Sequence, residues 1–229
     1  MNTAIPCITD GGTAMSTETG PVVLLQWLSP AYPVGAFAWS HGLEAAVARK
    51  EVTDGAGLEA WLGDLLLFGS ARADAILLAA ACRAEHKAAL AEVDATARAF
   101  APSRERLAET VEQGTAFCRA TSEVWGDNLR DLTYPVAVGR AARMYGMPLD
   151  LTLEMFTHAF VSNQVAAAQR LLPVGQIEGQ RILKNLGPLV SDAAKNALTS
   201  DLSSLSSACF AADVASMVHE IQYSRIFRS

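Results

Sequence analysis

Between Leu151 and Gln176 the apolar positions recur at helical spacing, yet they do not gather on one stripe. At about 100° per residue, Phe156, Phe160 and Ala167 fall on one side, and Val161, Val165, Ala168 and Leu172 on the other. A thin polar seam of His158, Ser162 and Gln169 runs between them. Asp150 is positioned to cap the first turn, and Pro173 with Gly175 closes the far end, so the stretch predicts one long helix. A helix apolar on two opposed faces needs neighbours on both, which makes it the expected centre of a helical fold. Phe156, Phe160, Val161, Asn163, Gln164 and Val165 are accordingly assigned to the structural core. Burying Asn163 and Gln164 unpaired is costly, so they require partners inside the core or in another subunit.

The remaining pattern is helical as well. Residues 1–21 hold Thr, Gly, Pro and Asp and read as a flexible leader. Val22 to Leu28 is a short apolar helix stopped by Ser29-Pro30 and Pro33. From about Phe37 the chain turns helical through Leu43 and Val47. Asp54 caps a helix carrying Leu58, Trp61, Leu62, Leu65 and Leu66, and another passes through Ile76, Leu77 and Ala80. Ser103 caps a helix with Leu107, Val111, Phe117 and Val124 on one side. Arg104, Glu105, Arg106, Glu109 and Glu112 form its expected solvated face. Pro135 opens a helix to Tyr145, one at about Glu178 bends near Gly187-Pro188, and Asp213 starts the last. Sustained alternation is nearly absent, so sheets are not expected. The prediction is an all-α, single-domain bundle of roughly eight to ten helices over residues 22–229.

Composition sharpens this. Of 229 residues, 51% are hydrophobic and only 18% charged, against about a quarter charged in an ordinary soluble domain. The surface is therefore either bland or partly covered by partners. The net charge of -6 gives no electrostatic case for nucleic acid or an anionic membrane. Cys7, Cys82, Cys118 and Cys209 lack paired spacing and read as reduced thiols of a cytoplasmic protein. No signal-peptide pattern opens the chain, and the apolar stretch from Leu62 to Cys82 is broken by Asp64, Arg72 and Asp74.

Catalytic signatures are scarce. There is no G-x-x-x-x-G-K-[ST] phosphate loop, G-x-G-x-x-G or G-x-S-x-G elbow, and Ser40-His41 is too generic to weigh. His41, His86, His158 and His219 each stand alone. His219, beside Glu220, is the one weak candidate for a metal. No catalytic, cofactor-binding or firm metal residue is assigned. A helical hydrolase assembled from His158, His219, Glu220 and Asp213 stays open, as does a helical interaction module serving an unrelated complex.

Two stretches are unusual for a plain bundle. The segment Pro30 to Glu44 compresses two prolines, two glycines and three aromatics into a bend, with Tyr32 and Glu44 as candidate recognition groups. The other is the ending H-E-I-Q-Y-S-R-I-F-R-S. Chain ends are usually polar, whereas here Tyr223, Ser224, Arg225, Phe227 and Arg228 are of hot-spot type or flank it. Residues 220–229 are read as a partner-docking tail, with a fold back onto the chain's own body as the alternative.

These stretches resemble the urease accessory protein UreF family. Residues 32–44, Y-P-V-G-A-F-A-W-S-H-G-L-E, are similar to its N-terminal signature, with Ala36 where glycine is commoner and Trp39 where tyrosine is. Residues 162–180 resemble the family's helix and G-Q-x-x-G-Q continuation, and residues 222–229 its ending, with isoleucine for the usual leucine. The resemblance implies an all-α adaptor without catalytic activity. It would bind a UreD/UreH-type scaffold, a UreG-type GTPase and the urease apoprotein, and be able to form a homodimer. No cofactor would be stably bound; nickel, GTP and bicarbonate would act through the assembled complex. It implies a tail ordered against the scaffold, with Tyr223, Arg225 and Arg228 near the GTPase junction and Glu44 linked to metal transfer.

Overall fold

A computed structural model describes residues 20–229. Among them are ten α-helices and two short 3-10 turns, with no strand. The helices are α1 (Gly20–Trp27), α2 (Leu43–Ala48), α3 (Gly55–Phe68), α4 (Ser70–Arg83), α5 (Lys87–Ala99), α6 (Arg104–Trp125), α7 (Tyr134–Met144), α8 (Leu149–Leu171), α9 (Gln176–Thr199) and α10 (Phe210–His219). The expected leader lies outside the described residues except for Gly20 and Pro21, which already belong to α1.

Local chemistry explains several helix ends. Asp54 accepts a hydrogen bond from the Gly57 amide at 2.8 Å, and Ser103 Oγ one from Arg106 at 3.1 Å, so both expected caps form. Asp150 does not cap α8. Pro148 holds that position, and Asp150 lies in the first turn, where its charge meets the positive end of the helix. The far end also stops early, at Leu171, because Leu172 precedes Pro173 and takes the extended backbone that a following proline favours. Pro188 is carried inside α9.

The two faces of α8 serve two apolar clusters. Leu153 and Phe156 join Leu24, Trp27, Phe117 and Val138. Val161, Val165 and Ala168 join Leu43, Leu58, Leu62 and Leu186. Phe160 departs from the expected grouping: it is half-buried and packs with the Val161 cluster, its ring edge-on to His41 at 5.0 Å. Asn163 is half-buried and His158 exposed. Helix α4 shares the interior, packing against α3, α5, α7, α8 and α9. At Gly139 of α7 an added Cβ would run into the Leu78 carbonyl of α4, so glycine sets how closely these helices approach. By length and composition Gly55–Arg83 is apolar enough to cross a membrane, but 61% of its most apolar window is buried inside the protein. That apolar surface belongs to the helix contacts of α3 and α4.

Candidate functional site

The sequence S-H-G-L-E builds a seat for the chain's own last residues. His41 and Gly42 follow one another with φ of 59° and 81°, a left-handed pair that turns the chain sharply into α2. A Cβ on Gly42 would lie 2.9 Å from the Ser216 amide nitrogen, so both its backbone angle and the contact with α10 call for glycine. The turn points Glu44 inward, where the residue is 5% exposed.

The tail lies in this seat. Glu44 Oε1 accepts from the Ile226 amide at 2.7 Å and Oε2 from the Phe227 amide at 2.8 Å. The Arg228 amide donates to the Ala38 carbonyl and the Ser40 amide to the Ser229 carbonyl, each at 2.9 Å. Ser40 Oγ also donates to that carbonyl, and Ser229 Oγ donates to Glu109 Oε2 at 2.9 Å. Phe227 is buried under the Arg170 guanidinium, 4.2 Å from its ring centroid. Arg228 lies over Trp39 at 4.5 Å and forks onto Glu112 through bonds of 2.6 and 2.8 Å.

His219 is enclosed between carboxylates. Its Nδ1 meets Glu105 Oε2 at 2.6 Å and its Nε2 meets Glu44 Oε2 at 3.2 Å. Glu105 also accepts from Arg225 at 2.5 Å. Both ring nitrogens are thus engaged, and among the described residues no group of three or more His, Cys, Asp or Glu is disposed to hold a metal. His219 and its carboxylates link α2, α6, α10 and the tail in one network.

Behind it lies a second charged layer. Arg106 pairs with Glu109 and lies 3.8 Å from Asp74. Burial by itself would raise the Glu109 carboxyl, but Arg106 and His41 overcome it and hold the group near about 2. Burial pushes Asp74 up to about 6 despite the same arginine. Burial, and then Arg106, lowers His41. The expectation of a solvated α6 face holds for Arg104 and Glu112, which are exposed, and fails for Arg106 and Glu109, which are buried, with Glu105 half-buried between them; Val124, placed on the apolar side, is 64% exposed. The physical reason is tertiary, since the S-H-G-L-E turn, α4 and the tail cover the charged side.

Ser70 Oγ, His41 Nε2, His41 Nδ1 and Glu109 stand in the order hydroxyl, imidazole, carboxylate. The carboxylate contact is long, at 3.5 Å, and Arg106 already neutralises Glu109, so little charge is left to stabilise an imidazolium. The four residues of the hydrolase alternative do not meet. His158 opens on a groove beside α1 and α9, Asp213 on a different pocket, His219 is sealed, and Glu220 holds Arg104 at 2.7 Å.

The candidate recognition residues divide sharply. Tyr32 is in the core, its hydroxyl 2.9 Å from Thr121 Oγ1 and its ring 5.6 Å from Phe117, and burial raises its pKa. Glu44 and Phe227 are buried within the seat. Tyr223 is fully exposed, and Ser224, Arg225 and Arg228 are exposed beside it. Pattern reading assigned no role to Ser40, His41, Arg106 or Glu109; the signals available were the compressed bend of residues 30–44 and the run of charges that opens α6. It also missed an outward stripe on α10: Phe210, Val214 and Met217 are 72%, 45% and 49% exposed. Their spacing puts them on one helix face, and Ile221, Tyr223 and Ile226 in the segment that follows are exposed as well.

Comparison with known proteins adds an independent finding. The family model of UreF matches residues 52–187. The urease accessory protein UreF of a Ruegeria species is 58% identical over 213 residues, covering 93% of this chain and all of the relative. That of Roseobacter denitrificans is 49% identical over 215 residues, 94% of this chain and 96% of the relative. That of Ruegeria pomeroyi is 48% identical over 216 residues, 94% of this chain and 100% of the relative.

Proposed function

The chain belongs to the UreF family of urease accessory proteins, and from that membership we propose that it is a cytoplasmic, non-catalytic maturation adaptor. It joins a UreD/UreH-type scaffold to a UreG-type GTPase so that GTP-dependent nickel insertion into apo-urease can proceed. Nickel, GTP and bicarbonate act through the assembled complex, and this chain holds none of them stably.

The observation that carries the reading is the α10 stripe and its continuation through the tail. Phe210, Val214, Met217, Ile221, Tyr223 and Ile226 present apolar side chains to solvent, with Ile221 at 83% and Tyr223 at 105% exposure. Large apolar side chains exposed together along a helix face and the segment after it mark a protein-binding face, and an exposed tyrosine two residues before an arginine is of the type found at binding hot spots. Glu44, Phe227 and Arg228 hold that face in position from behind, so less ordering entropy opposes the partner when it binds. Bringing scaffold and GTPase together then raises the local concentration of the nickel carrier at apo-urease.

The test is nickel-dependent activation of purified apo-urease with scaffold, GTPase, GTP and bicarbonate, with and without this protein. Activation is expected only in its presence. Tyr223→Ala combined with Ile226→Asp should lower both scaffold affinity and activation at least about tenfold, in line with hot-spot losses. Equal activation without the protein would reject the adaptor role. Scaffold binding that leaves activation unaffected would favour a plain interaction module.

A further inference from the structure

A pocket of about 450 Å³ opens where the start of α5, the loop at residues 126–130 and the end of α7 meet. Lys87, Arg130 and Arg140 line it, with Leu90, Leu132 and Met144 among its apolar residues. We propose that this pocket docks an acidic, amphipathic peptide segment of a partner protein.

Three observations support that occupant. In a chain of net charge -6, the cations Lys87 and Arg130 both line this space, while its one carboxylate is Asp127. Asp127 is spent internally: Oδ1 accepts from Ser122 Oγ at 2.5 Å and from the Leu129 amide at 3.1 Å, and Oδ2 from the Tyr145 hydroxyl at 2.8 Å. Second, Lys87 is the first residue of α5, at the positive end of the helix, where an acidic side chain is the favoured choice. It reinforces that positive potential, and its side chain has no polar partner among the described residues. Third, Arg130 spends its Nε on Asn128 at 2.7 Å, which leaves its terminal nitrogens for a forked grip on a carboxylate.

The apolar residues choose between kinds of anion. A free phosphate would use the cations and leave Leu90, Leu132 and Met144 wet. A peptide that alternates acidic and aliphatic side chains satisfies both. The net negative charge disfavours nucleic acid as the occupant.

The full-length protein should be titrated into a labelled peptide of alternating glutamate and leucine, followed by fluorescence anisotropy. Binding is expected to weaken between ~0.05 M and ~0.5 M salt, as screening requires. The double variant Lys87→Glu, Arg130→Glu should lose at least about tenfold in affinity while keeping the wild-type melting curve, since both side chains are exposed. No binding by the wild type, or unchanged binding by the variant, overturns the proposal. So does equal affinity for a glutamate–serine peptide, because the apolar surface would then be unused. Urease activation does not enter this measurement, so its outcome is independent of the adaptor reading.

Discussion

At the residue scale, one carboxylate organises the seat. Glu44 receives two consecutive tail amides and faces His219. Glu44→Gln removes the charge and turns an amide donor toward groups that already donate. Hydrogen bonds to a charged group contribute about 1.5–3 kcal/mol each, so the variant should ease opening of the tail by about 2 kcal/mol. Hydrogen exchange at Ile226 and Phe227 measures this, and unchanged protection there would remove Glu44 from the role. The charged layer behind it predicts two opposed pH effects. The depressed Glu109 stabilises the fold fully above the unfolded carboxylate value of about 4.5, and that stability drains away as pH falls toward about 2. Asp74 is raised, so its neutral form suits the fold and its cost grows as pH climbs from about 4 to about 6. Asp74→Asn should therefore stabilise the protein by roughly 2 kcal/mol at pH ~7 and little at pH ~4. Equal urea midpoint changes at both pH values would contradict it. The sequence singles out Glu44, but not Asp74, Glu109 or the Ser40-His41 pair. Ser40-His41 is a common dipeptide, and its importance comes from meeting Ser229, 189 positions away.

At the element scale, what was legible followed local chemistry. Asp54 and Ser103 capped the helices they preceded, and the two-faced pattern of Val161, Val165 and Phe156 anticipated two apolar clusters on α8. Sequence failed where one element's exposure depended on another. The arginines and glutamates of α6 have the composition of a solvated face, and only the tail, α4 and the S-H-G-L-E turn packed against them bury Arg106 and Glu109 while Arg104 and Glu112 stay exposed. Phe160 likewise follows His41, a neighbour that helical periodicity cannot supply. The alanine-rich run of α4 allows close approach, but helix spacing was silent about which partner residue would use it. Gly139 fits α7 against the α4 backbone with no room for a methyl group. Gly139→Ala gains helix propensity but must push the helices apart, and overpacking of this kind costs about 1–3 kcal/mol. In a domain of this size that lowers Tm by roughly 2–12 °C, readable by calorimetry. A rise in Tm would mean that the α4–α7 contact is slack.

At the scale of the whole molecule, the body and the tail are separable in energy. The two apolar clusters are built from the helices and the loops between them, without the tail, which is held mainly by polar contacts and one buried aromatic, Phe227. Removing residues 221–229 should leave the helical circular dichroism near that of the full chain while uncovering Glu44, Ser40 and Glu109. The expected loss is about 2–4 kcal/mol, the scale of a deleted buried phenylalanine with its hydrogen bonds; global unfolding of the shortened chain would show the body to depend on its end. The pairing of residues 38–40 with 228–229 also has a consequence in time. Contacts so distant along the chain carry a large closure entropy and form after local helices have taken shape. The last stage of folding and the lowest-energy opening of the finished protein should therefore be the same event, lifting of the tail from its seat. A partner arriving at Tyr223 would meet a segment that had only just set, and that reopens many times before the rest of the molecule once lets go.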